Sequence, residues 1–113
     1  MRTNYNTAYE VFQDIRRSLA VALLKRLIKK FPNTSIAIYK GTITVSNVAR
    51  KNISIILKSR TLYMAGYSRM ITLKEFKSPS EVLIYLTDID WVEEKFLKTA
   101  NLLSTAFTKR AIA

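Results

Sequence analysis

Apolar residues recur every three or four positions at the start of the chain, where Ala8, Phe12, Ile15, Leu19, Leu23 and Leu27 fall on one helical stripe. This spacing predicts a long helix over 6–31, capped by Asn6 or Thr7 and stopped by Pro32, whose ring drives Phe31 away from helical geometry. Glu10 and Asp14 stand near the positive end of its dipole, and Lys25, Arg26, Lys29 and Lys30 near the negative end. The stretch Leu19 to Leu24 is apolar all round, which predicts cover on more than one side.

From Ser35 to Phe76 the period changes to two, with β-rich segments near 35–40, 42–48, 53–58, 61–65 and 70–76. The inward set is then Ile36, Ile38, Ile43, Val45, Ile53, Ile55, Leu57, Leu62, Met64, Ile71 and Leu73. The turns between segments are too short for parallel crossovers, so the reading is an antiparallel meander of four to five strands over 35–76.

Helical signals return after it. Ser78-Pro79-Ser80-Glu81 is a capping box with Pro at the first helical position and predicts a helix over 79–86. Asp90 before Trp91-Val92-Glu93 offers a second cap and predicts a helix over 91–111. The chain therefore reads as α+β: a long N-terminal helix, a meander and two C-terminal helices, in a single domain over 1–113. The longest apolar run, Leu19 to Leu24, is far short of the about 20 residues that a membrane span needs. The first residues lack the apolar region of a secretory signal, which predicts an intracellular, cytoplasmic protein.

Charge changes the picture from fold to partner. The 113 residues carry 19 Lys and Arg against 8 Asp and Glu, a net charge of +11, and no acid occurs between Ile15 and Lys74. That stretch holds Arg16, Arg17, Lys25, Arg26, Lys29, Lys30, Lys40, Arg50, Lys51, Lys58, Arg60, Arg69 and Lys74. Most soluble surfaces intersperse both signs. A surface kept free of carboxylates fits phosphate neutralisation, where each contact releases condensed counterions.

The meander sends Lys40, Lys58 and Arg60 to one end of the sheet and Arg50, Lys51 and Arg69 to the other. Between them the outer face is expected to show Tyr39, Thr42, Thr44, Ser46, Ser54, Ile56, Lys58, Thr61, Tyr63, Thr72 and Lys74. Aromatic rings amid hydroxyls, with cations at the rim, suit bases that stack while phosphates are held, with Tyr39, Tyr63 and Tyr67 as the platforms. The candidate nucleic-acid-binding set is Tyr39, Lys40, Arg50, Lys51, Lys58, Arg60, Tyr63, Arg69 and Lys74.

Catalysis finds little footing in this composition. With no His and no Cys there is no imidazole base, no thiol nucleophile, no zinc finger and no disulfide. With Gly only at 41 and 66 there is no glycine-rich phosphate loop, and no cofactor is expected. Asp88, Asp90, Glu93 and Glu94 formally offer a metal-dependent nuclease cluster, but their spacing matches helix capping better. A helix-turn-helix drawn over Ser78 to Ala100 would put Asp90, Glu93 and Glu94 where phosphates approach.

The sequence thus predicts a small, non-enzymatic protein that binds DNA or RNA through phosphates and stacking with weak sequence specificity. Abundant Ile and Lys fit an AT-rich source such as a virus or mobile element. The alternative is an interaction module or assembly subunit docking on an acidic protein through Tyr5, Tyr9 and the far face of the first helix. Leu19 to Leu24 together with Leu102, Leu103 and Phe107 also allow a homodimer.

Overall fold

The structure, a computed structural model, describes residues 6–48, 51–66 and 69–112, with side chains through Leu103. Helix α1 (Ala8–Leu27) is followed by five strands and two helices. The strands are β1 (Ser35–Tyr39), β2 (Thr42–Val48), β3 (Lys51–Lys58), β4 (Thr61–Gly66) and β5 (Arg69–Glu75). The helices are α2 (Pro79–Leu86) and α3 (Ile89–Ile112). The sheet is an antiparallel meander in sequence order, the architecture expected from the period-two pattern.

Helix α1 begins at a full capping box. The Thr7 hydroxyl accepts from the Glu10 N–H at 3.2 Å, and Glu10 Oε1 accepts from the Thr7 N–H at 3.1 Å. The helix stops at Leu27, short of Phe31, because a turn over Ile28 to Lys30 precedes Pro32 and the Thr34 hydroxyl closes on the Phe31 carbonyl at 2.7 Å. Helix α1 packs against the sheet, α2 and α3, which buries Leu19, Ala20 and Leu23 from more than one direction, while Val21 stays 47% exposed on the remaining side.

Helix α2 opens as expected at Ser78, whose side chain accepts from Glu81 N–H; the Glu81 carboxylate reaches the Lys77 N–H at 2.7 Å instead of closing the box on Ser78. Helix α3 begins two residues earlier than the sequence suggests. Asp88, not Asp90, caps it by accepting from the Trp91 N–H at 3.2 Å.

All three helices lie on one face of the sheet. Ile43, Val45, Ile53, Ile55, Leu57, Leu62 and Met64 point into that side and are buried with Phe12, Leu19, Leu23 and Leu27 of α1, Val82 and Leu86 of α2, and Val92, Phe96 and Leu103 of α3. Ile36, Ile38, Ile71 and Leu73 pack against this core, so every residue assigned inward is inward. A void bordered by Leu19, Ile55, Leu62 and Phe96 is about 10 Å³ and offers a ligand no room. Among the described residues no helix is long and apolar enough to cross a membrane.

Two irregularities set which side chains reach the open face. In β2 the pairing slips between Val45 and Val48, with Asn47 in the left-handed region at φ 65°. Asn47 is held there by its N–H to Asn52 Oδ1 at 3.3 Å and its Nδ2 to the Asn33 carbonyl at 3.4 Å. In β5 the register shifts so that Leu62 faces Lys74 while Tyr63 faces Thr72, leaving Leu73 as the extra residue.

Candidate nucleic-acid interface

Among the described residues, nothing covers the face of the sheet away from the helices. Cross-strand pairing lines up Tyr39, Thr42, Ile56, Tyr63 and Thr72 in one row, and Ala37, Thr44, Ser54, Ala65 and Met70 in the next. Strand spacing sets Tyr39 and Tyr63 about 14 Å apart, three strands from each other. Tyr39 is 73% exposed and Tyr63 half-buried among its row neighbours. Thr44 and Ser54 share a hydroxyl bond of 3.2 Å, and the Thr42 hydroxyl donates to the Lys40 carbonyl at 3.3 Å. Only one acid lies on any strand, Glu75, opposite Thr61 at the margin of this face.

The hairpins distribute the cations as the meander requires. The tight connections Tyr39 to Thr42 and Lys58 to Thr61 put Lys40, Lys58 and Arg60 at one end, beside the tyrosine row. Positive φ at Gly41 (65°) and Ser59 (57°) makes these two turns possible. A Cβ on Gly41 would stand 3.3 Å from Tyr9 Cε1, which brings the start of α1 to the same end. At the opposite end stand Lys51 and Arg69, with the Asn33 carbonyl and so the α1–β1 connection, which carries exposed Lys29 and Lys30. Lys40, Lys58, Arg60 and Arg69 make no ion pair with any described residue. Arg50 and Tyr67, both candidates from the sequence, lie outside the described residues.

Lys74 does not belong to this surface. Strict alternation put it outward, but the extra residue Leu73 turns it toward the helices, across from buried Leu62. Its ammonium lies 3.6 Å from Glu81 Oε1 and 4.4 Å from the centre of the Tyr85 ring, so its charge is already spent on α2.

The acidic cluster near α3 is also occupied structurally. Arg26 Nη1 lies 2.9 Å from Asp90 and 3.0 Å from Glu93, tying the end of α1 to the start of α3. Hydrogen bonds to Asp90 and then Glu93 raise the guanidinium's pKa above its ordinary value. Asp88 is engaged in capping. Among the described residues no three acids are grouped to hold a metal ion.

One feature of the face escaped the sequence. A hollow of about 380 Å³ opens beside the tyrosine row, bounded by Asn52, Ser54, Ala65, Gly66, Arg69 and Met70. It forms because Ser54 on β3 and Ala65 and Gly66 on β4 are small and lie side by side next to the longer Met70 and Arg69 of β5, and that coincidence depends on register. Met70, opposite Ala65, is 48% exposed at its rim.

The chain matches no family model, no curated protein and no solved structure, so its function is argued from this geometry.

Proposed function

We propose that this is a non-enzymatic nucleic-acid-binding protein whose open sheet face receives bases while Lys40, Lys58, Arg60, Lys51 and Arg69 hold phosphates at its two ends. The observation that carries the reading is the pairing of an uncovered face, bearing Tyr39 and Tyr63, with rim cations of which four make no ion pair with a described residue. Unpaired cations around an uncovered face raise the local potential and concentrate a polyanion there. Recognition is mostly electrostatic, and sequence discrimination is weak.

The test is fluorescence anisotropy of labelled oligonucleotides over a series of salt concentrations. Neutralising about five phosphates gives a slope of log affinity against log salt of about −3.5 for single strands and about −4.5 for duplex. A slope near zero would refute the mechanism.

A second reading, docking on an acidic protein, draws on Tyr9, which is 41% exposed and sits beside the Lys40-Gly41 turn. It requires an apolar centre as well as charge. On that reading Tyr9→Ala abolishes capture of an acidic partner while Lys51→Ala only slows association, and oligonucleotides fail to compete.

A further inference from the structure

We infer that the nucleic acid is a single strand and that one of its bases lies in the hollow bounded by Asn52, Ser54, Ala65, Gly66, Arg69 and Met70. The inference rests on the nucleic-acid reading above and narrows it.

The width of the face argues against a duplex. Five strands span about 19 Å. A major groove is about 12 Å wide and admits a helix or a two-stranded ribbon, not a five-stranded sheet. Against a duplex, the rim cations would meet phosphates but the tyrosines and the hollow would meet none of the bases, whose faces are buried in the stack. A single strand presents free ring faces, which sequence-tolerant sites bind by aromatic stacking.

The hollow has the chemistry for a planar ring. It is a shallow, open depression of about 380 Å³, which can receive one face of a ring without enclosing it. Ala65 forms a low floor to which Gly66 adds only backbone, its missing Cβ facing Leu103 and Ile53 on the helix side, and Met70 supplies a polarisable wall that adapts to aromatic surfaces. The polar groups at the rim are donors. Asn52 Oδ1 is occupied by the Asn47 N–H, which fixes the carboxamide and leaves its NH₂ group without a described partner. Arg69 is exposed and has no ion pair with any described residue. The Asn52 NH₂ group meets the carbonyl and ring-nitrogen acceptors that every base carries, while Arg69 beside it holds the phosphate of the same nucleotide. Tyr63 lies two residues from Ala65 on the same face, so a strand with one base in the hollow passes its neighbour over that ring.

The experiment compares a short labelled single-stranded DNA, the same sequence as a duplex, and the matching single-stranded RNA, by anisotropy at fixed salt. Ala65→Leu fills the hollow without changing charge, and Met70→Ala removes its wall. Thermal melting of each variant checks that the fold is kept. The expected result is tighter binding of single strands than duplex, a roughly tenfold loss of single-strand affinity in either variant, and an unchanged salt slope. Duplex bound as tightly as single strand, or both variants binding like the parent, overturns this inference and leaves the phosphate mechanism standing. Failure of all three probes to bind at low salt overturns the nucleic-acid reading itself.

Discussion

Arg69 and Lys74 sit five residues apart on β5, and one extra residue between them gives them different tasks. Arg69 precedes the irregularity and stands at the rim of the hollow, while Lys74 follows it and turns under the sheet to Glu81 and Tyr85. The two substitutions should therefore separate. Lys74→Ala loses a partly buried ion pair and a cation–π contact and lowers stability by about 1 kcal/mol, with oligonucleotide affinity unchanged. Arg69→Ala leaves the melting temperature near that of the parent and makes the salt slope shallower by about 0.7, one phosphate contact fewer. Denaturant unfolding and anisotropy on the same two variants check both halves; a Lys74→Ala protein that melts like the parent but binds weakly would return Lys74 to the interface. The alternation that correctly sends Ile53, Ile55, Leu62 and Met64 inward was legible because each β-branched or large apolar residue repeats with period two. Lys74 was not legible, because an inserted residue that shifts register leaves no compositional mark.

Elements were readable where a local signal sets them and less so where two signals compete. Thr7 and Ser78 cap their helices as their side chains predict. Before α3 two aspartates stand within three residues, and local chemistry favours either. The structure uses Asp88 for the cap and frees Asp90 to join Glu93 on Arg26, a partner 64 residues away in the chain that no local pattern reveals. Asp88→Ala should thus cost about 1 kcal/mol through the uncapped N-terminus of α3. Asp90→Ala acts through Arg26 instead, so its effect should shrink in high salt while that of Asp88→Ala persists. Urea melts of both variants at low and high salt distinguish the roles, and an equal salt response would mean that the two acids share one task. The hollow belongs with Arg26 among the illegible features. Ser54, Ala65 and Met70 read as ordinary strand residues one at a time, and only the pairing of β3, β4 and β5 brings them together.

At the scale of the whole molecule, the sequence's acid-free stretch becomes an asymmetry between faces. Of its cations, Arg26 and Lys74 are paired with described carboxylates of α2 and α3 on the helix side. At the sheet ends, Lys40, Lys58, Arg60 and Arg69 make no ion pair with a described residue, while Lys51 makes a further interaction. Glu75 is the only strand acid near the open face. On the nucleic-acid reading proposed above, the rim cations beside the open face should draw a polyanion toward the sheet in preference to the equally unpaired cations of α1, an effect on the association rate more than on the dissociation rate. Two double reversals test placement against total charge. Lys58→Glu with Arg60→Glu changes the rim beside the tyrosine row; Arg17→Glu with Lys25→Glu makes the same change in net charge on the exposed side of α1. In stopped-flow measurements with single-stranded DNA at low salt, the rim pair should slow association by roughly tenfold to a hundredfold and the helix pair by much less. The gap should close as the salt rises to about 1 M, where the screening length falls to about 3 Å. Equal slowing by both pairs would mean that net charge alone draws the partner in, and the asymmetry of the fold would then have no part in recognition.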